Sequence, residues 1–262
     1  LQAFTVVDLG AQIQAGLGVN VDDVKASEVV LITQLIDDSG SIRFVQGNTE
    51  AVRNGHNLVT ESLAASKQRN SILGHTRYLN GEVLFDYRLI SQAVKMNASN
   101  FNPSGGTPLY DQSIVILGTV LAKVQEFQNS GVPVRAITLI VTDGADEHSR
   151  QKASAVKSVV DDMLRSEMHI ISAMGIGDGK TDFYEVFSGW KEREVKKAKL
   201  DGKLQDLEAK GGMGIPPRWI RTPADSPSEI RKEFELFSQP AVRASQGAAS
   251  FSQAAMGGFG SP

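Results

Sequence analysis

Apolar residues fall along this chain in short β-branched runs that alternate with stripes at helical spacing. Residues 28–36 (EVVLITQLI) form one such run and end at Asp37-Asp38-Ser39-Gly40-Ser41, the pattern of a buried strand feeding a polar loop. Over 49–67 the positions Val52, Leu58, Val59, Leu63 and Ala64 recur at helical intervals. Residues 71–79 and 82–89 alternate around Asn80-Gly81, a strong hairpin signal that predicts one antiparallel edge strand. The loop 100–107 (NFNPSGGT) opens onto a helical stripe over 108–128, carried by Leu109, Ile114, Leu117, Leu121 and Val124. A second buried strand over 136–142 ends in Asp143-Gly144-Ala145-Asp146, and a helix follows over 151–165. The remaining elements are a strand at 168–175, short helix at 182–187, short strand at 219–221 and closing helix at 228–238, whose start is marked by Ser226-Pro227.

Strands alternating with helices of this length predict βαβ units with right-handed crossovers. The expected fold is α/β and doubly wound, with a mostly parallel central sheet, one antiparallel edge strand and helices on both faces. Two segments depart from that plan. Residues 190–210 hold twelve charged side chains, seven basic and five acidic, with Leu200, Leu204 and Leu207 spaced as a helical stripe; 190–212 reads as a charged helical insertion. The 23 residues from 240 contain fourteen Ala, Ser or Gly, so 241–262 is expected to be a flexible tail. The domain itself is expected over 26–240, with 1–25 as an N-terminal extension.

Composition narrows the chemistry. The chain has 262 residues, 41% of them apolar, enough for a sizeable core. It has no cysteine, which excludes disulfides, thiolate metal sites and cysteine nucleophiles. A net charge of −3 gives no electrostatic reason to expect nucleic acid. The longest nearly apolar stretch is the nine residues 114–122, too short to cross a bilayer, and no secretory signal is visible at the start, so no membrane partner is expected and a cytoplasmic location is.

In an open parallel sheet, ligands bind beyond the carboxyl ends of the strands. There the sequence places Asp37, Ser39 and Ser41 after the first strand, Thr107 before a helix and Asp143 after the next buried strand. Each offers a hard oxygen and none offers nitrogen or sulfur, a donor set for Mg²⁺ or Mn²⁺ rather than Zn²⁺ or Cu²⁺. Taken singly, each loop also reads as ordinary helix capping or turn chemistry.

Asp37-x-Ser39-x-Ser41, Thr107 and Thr142-Asp143-Gly144, in this order at successive strand ends, resemble the metal-ion-dependent adhesion site of von Willebrand factor A domains. The resemblance covers about 26–240. It implies that Ser39, Ser41 and, in some states of such sites, Thr107 touch the metal while Asp37 and Asp143 act largely through water. It also implies a non-enzymatic, Mg²⁺-dependent protein-binding module that takes a partner's Asp or Glu carboxylate as its last metal ligand. Gly105 to Asp111 and the closing 230–238 segment are most similar to bacterial cytoplasmic members, including those associated with tellurite-resistance operons, which serve in multiprotein systems.

Two rival readings use the same residues: a metal-independent scaffold with a vestigial site, and a Mg²⁺-dependent phosphohydrolase with Asp37 as nucleophile. The second wants an acid/base carboxylate two residues on, where Ser39 stands. The glycines at 175–179 miss phosphate-loop spacing at Met174 and Lys180, and the four histidines form no metal-binding group. His148 alone lies near the site in sequence.

Overall fold

The computed structural model describes residues 6–260. Its first element, α1 (Val6–Leu17), precedes a strand buried at every position, β1 (Val29–Ile36). There follow α2 (Asn48–Ala64), β2 (Ile72–Tyr78), β3 (Val83–Leu89), α3 (Leu109–Asn129), β4 (Val134–Thr142), α4 (Ala153–Arg165) and β5 (His169–Gly175). The last third holds α5 (Phe183–Ser188), α6 (Glu192–Leu200), β6 (Ile220–Arg221), α7 (Pro227–Ala244) and α8 (Ala248–Gly257). The six strands form one sheet in the order β3-β2-β1-β4-β5-β6, parallel except for the antiparallel β2–β3 hairpin at one edge. This is the fold class that the hydrophobic pattern predicts.

The unbroken apolar runs of β1 and β4 are explained by burial on both faces, since helices cover each side of the sheet. Helices α2 and α7 pack together as one layer, whereas α1, α3 and α4 pack in another. From β1 the chain proceeds through α2 to β2 on one side, and it returns through α3 to β4 on the other. The order therefore reverses between β1 and β4, the place where open α/β sheets leave a crevice. The register pairs Ile36 with Val141, so Asp37 and Thr142 leave the sheet side by side.

Three segments differ from the sequence reading. Helix α7 runs six residues beyond the predicted end at 238 and contains Pro240. Its buried stripe of Ile230, Phe234, Phe237, Ala241 and Ala244 keeps helical spacing through the proline, so packing outweighs the lost N–H. The tail expected to be flexible instead forms α8 and a 3₁₀ turn over Gly258–Gly260, because two aromatic residues anchor it. Phe251 and Phe259 are buried, Phe259 meets the Trp219 ring edge-on at 5.1 Å, and the Trp219 indole donates to the Ala255 carbonyl at 3.2 Å.

The charged segment forms no continuous leucine stripe. Helix α6 ends at Leu200, which is 88% exposed, and the chain turns at Asp201-Gly202 before a 3₁₀ turn over Leu204–Asp206. Its two ends meet: a Cβ on Gly189 would stand 2.6 Å from the Gly211 backbone, and the amides of Lys210 and Gly211 both donate to the Ser188 carbonyl at 3.0 Å. The N-terminal α1, for its part, packs against α3 and β3. Its Gln12 carbonyl accepts from the guanidinium of the buried Arg77 on β2.

Candidate metal centre

All five residues singled out from the sequence converge at the β1/β4 crevice. Asp37 continues β1 by one residue, with its amide donating to the Val141 carbonyl at 3.0 Å. Its side chain is fully buried. One carboxylate oxygen accepts from the Ser39 amide at 2.7 Å, and the other accepts from the Thr142 hydroxyl at 2.7 Å and the Asp143 amide at 3.2 Å. An ionised carboxylate holding N–H and O–H donors on both oxygens is fixed in orientation and braces the two strand ends together.

In front of it, Ser39 Oγ, Ser41 Oγ and Asp143 Oδ1 form a triangle. The two hydroxyls stand 2.9 Å apart, Ser39 donates to Asp143 Oδ1 at 3.1 Å, and Ser41 does so at 2.8 Å. Thr107 lines the same cleft, and among the described residues its hydroxyl has no protein hydrogen-bond partner. The cleft has a volume of about 630 Å³ and its lining includes Ser39, Ser41, Thr107 and Asp143, with Asp37 behind. The arrangement gathers the predicted residues and separates four cleft-lining side chains from one supporting carboxylate.

The loops are knitted independently of these side chains. Ser39 and Gly105 form an isolated parallel bridge; the Gly40 amide donates to the Gly105 carbonyl at 3.1 Å, and the amides of Ser104 and Gly105 donate to Asp38 O at 2.8 and 3.0 Å. The loop after β4 then caps α3 from outside. His148 Nδ1 accepts from the Thr107 amide at 3.0 Å, Asp146 accepts from the Tyr110 amide at 3.1 Å, and the Ser149 hydroxyl accepts from the Asp111 amide at 2.9 Å. In return Asp111 takes the amides of Arg150 and Gln151 at 3.1 and 2.9 Å. These contacts satisfy the free N–H groups of the helix start and hold Thr107 beside Asp143. Gly106 is required for this approach, because a Cβ there would stand 2.8 Å from His148 Nδ1.

The electrostatics fit a cation. Burial raises the Asp37 carboxyl above its ordinary range against the pull of its hydrogen bonds. Burial, with the Asp37 charge as the second cause, pushes Asp143 up to about 7, and burial takes Asp38 to about 6. Close, poorly solvated carboxylates strain one another unless a positive charge sits between them. Among the described residues no group of three or more His, Cys, Asp or Glu is arranged to hold a metal. A cation here would therefore depend on the serine and threonine hydroxyls, and those are the groups turned to the cleft. They fit a hard divalent ion: every donor is oxygen, and the hydroxyls need only turn their protons aside to offer lone pairs.

Sequence reasoning overlooked the bracing role of Thr142, although a hydroxyl next to Asp143 at a strand end was visible. It also left the His148, Asp146 and Ser149 contacts unread, since trans-capping across about 40 positions has no local signature.

No family model matches the chain, and no curated protein does. Solved structures do resemble it. The pilus adhesin SpaC from Lactobacillus rhamnosus GG, in its open conformation, superposes with a TM-score of 0.51 at 14% identity, covering 82% of this chain and 30% of SpaC. Proximal thread matrix protein 1 of the mussel byssus gives 0.49 at 16% identity over 82% of this chain and 46% of its own. A von Willebrand factor type A protein from Catenulispora acidiphila gives 0.43 at 16% identity, over 83% and 43%. The chain thus spans less than half the length of each. Of these three, SpaC alone passes a TM-score of 0.5, and at such identity the likeness is one of fold.

Proposed function

We propose that this domain is a protein-binding module of the von Willebrand factor A type, in which a divalent cation held by Ser39, Ser41, Thr107 and Asp143, with Asp37 behind, takes a carboxylate from a partner protein as its last ligand. The observation that carries this reading is the oxygen triangle opening onto a cleft. Its donors are all hard oxygens, two neutral hydroxyls and one carboxylate, a set that suits Mg²⁺ or Mn²⁺. A Mg²⁺ ion wants six ligands, and the protein offers an incomplete set, most of it neutral. The ion would retain enough positive charge to draw in an acidic side chain, chemistry that it supplies when bound.

The phosphohydrolase reading fares worse. Asp37 is fully buried, is absent from the cleft wall and has both oxygens engaged, so it has no path to attack a phosphorus atom. This supports a non-enzymatic role. A cytoplasmic location and a place in a bacterial multiprotein assembly belong to the same proposal and rest on the resemblance of the Gly105–Asp111 and 230–238 segments.

Calorimetric titration of Mg²⁺ and Mn²⁺ into chelator-stripped protein tests the reading, with Asp37→Ala as control. Saturable one-site binding that is lost in the variant supports it. Absence of binding by the parent protein moves the contact surface elsewhere and favours the metal-independent scaffold.

A further inference from the structure

The 3₁₀ turn Gly40–Phe44 that supplies Ser41 to the site also carries a large apolar residue outward. Ile42 is buried at 2% exposure, whereas Phe44 is 86% exposed. Isolated exposed apolar residues are common, but of the five large ones among the described residues Phe44 alone lines the candidate metal cleft. In a 3₁₀ turn, side chains three apart eclipse one another with a rise of about 6 Å. Ser41 and Phe44 have that spacing, and both line the cleft while Ile42 and Arg43 do not. The charged side chains of the lining are four carboxylates, Asp143, Glu147, Asp178 and Asp225, and one cation, Lys180. Its turn is held by Asp178, which accepts from the Lys180 and Thr181 amides at 2.8 and 2.7 Å.

From this geometry we infer that the cleft reads an extended segment in which a large apolar residue stands two positions from the acidic one. In an extended chain, residues i and i+2 face the same side at a spacing of about 6.6–7 Å. That spacing lets a carboxylate reach the oxygen triangle while its neighbour covers Phe44. Adjacent residues point to opposite faces and fail to do both. With four carboxylates against one lysine in the lining, the wall itself repels further negative charge, so the segment carries a single carboxylate, at the cation, beside the apolar residue. The inference rests on the metal-dependent reading above and adds to it the partner feature that Phe44 selects.

Three fluorescein-labelled peptides in a Gly/Ser background test it by anisotropy: one with a single Asp, one with Leu adjacent to the Asp, and one with Leu two residues away on either side. Each is measured with Mg²⁺ and with EDTA against the parent protein, Phe44→Ser and Asp37→Ala. The expected result with Mg²⁺ is about tenfold tighter binding of the two-residue spacing, equivalent to about 1.4 kcal/mol. Phe44→Ser is expected to fall to the Asp-only level while its Mg²⁺ titration stays unchanged. Equal affinity of the parent for all three peptides, or a preference that survives in Phe44→Ser, overturns the inference and leaves the metal reading standing. Failure to take up Mg²⁺, no peptide binding by the loaded protein, or binding that persists in EDTA overturns the metal reading itself and this inference with it.

Discussion

Replacing Asp143 by Asn is expected to stabilise the chelator-treated protein while abolishing its response to Mg²⁺. The Asp143 carboxyl is pushed from 3.8 to about 7, first by burial and then by the Asp37 charge. A shift of about 3 units at about 1.4 kcal/mol each sets a ceiling of about 4 kcal/mol on the cost of ionising it in the folded state. Asn retains an oxygen to accept from Ser39 and Ser41, so the hydrogen bonds of the triangle persist. Because Asp37 shares the repulsion, we expect a gain of about 2 kcal/mol, half that ceiling. The sign follows from linkage: an acid whose folded value is raised contributes stability fully present below its unfolded value, and that contribution is lost as pH rises through about 7. The advantage of Asp143→Asn should therefore be small near pH 4, grow through pH 7 and level off above. Urea unfolding followed by circular dichroism in EDTA across this range measures it, and a second series with Mg²⁺ should stabilise the parent alone, by about 2.7 kcal/mol at a concentration 100 times the dissociation constant. A variant less stable than its parent at alkaline pH in EDTA, or one still stabilised by Mg²⁺, would refute the reasoning.

Ser39→Ala and Ser41→Ala should each weaken Mg²⁺ binding at least about tenfold by calorimetry, with unfolding in EDTA changed by no more than about 1 kcal/mol, since each removes one hydroxyl at the rim of the core. Gly55→Ala should cost about 1–3 kcal/mol or more in urea unfolding, because the added Cβ falls 2.1 Å from the Phe234 ring where α2 meets α7. Acid should destabilise the fold through His56, His75 and His169, each held down to about 4 by burial from 6.5. Their depressed values mean stability present above about 6.5 and lost as pH falls to about 4, at up to about 3 kcal/mol per histidine; His75→Gln should flatten a plot of unfolding free energy against pH in that window. Joining Gly189 to Gly211 through two serines, with 190–210 removed, should preserve Mg²⁺ titration. Val195 is the one apolar core side chain in that segment, so stability should drop by about 2–3 kcal/mol.

How much could be read without coordinates depended on whether a signal was local. The strands β1, β4 and β5 were legible because burial on both faces demands continuous apolar runs, and the β2–β3 hairpin because Asn80-Gly81 supplies the turn, with Gly81 at φ +94°. Asp37, Ser39 and Ser41 were legible because all three fall in one polar loop at the end of a buried strand, although Asp37 stands behind the cleft that the two serines line. Thr107 and Asp143 required knowing which strands become neighbours, an order that the βαβ pattern makes probable without stating it. The path of α7 through Pro240 was hidden because proline argues for a stop, and only the continuing stripe to Ala244 outweighs it. In the tail, composition averaged away Phe259, whose ring meets those of Trp219 and Phe237, and Phe251, which lies under the Arg135 guanidinium of β4. The leucines at 200, 204 and 207 suggested a stripe because spacing alone cannot register the turn at Gly202, where φ is +68°.

The division of labour at the crevice bears on what a bound ion would do. Backbone pairing between Ser39 and Gly105, the Thr107–His148 contact and the Asp37 brace all form from protein groups alone. Intramolecular hydrogen bonds thus help to hold these loops beside one another, whereas in small metal-dependent domains the ion supplies the folding energy. A cation held mainly by neutral hydroxyls keeps its demand for negative charge, and Asp37, buried behind, steadies the hydroxyl-bearing loop without reaching into the cleft. The Ser39 and Ser41 hydroxyls and the exposed Phe44 line the same cleft, so a partner that engaged a cation held there would meet Phe44 as well.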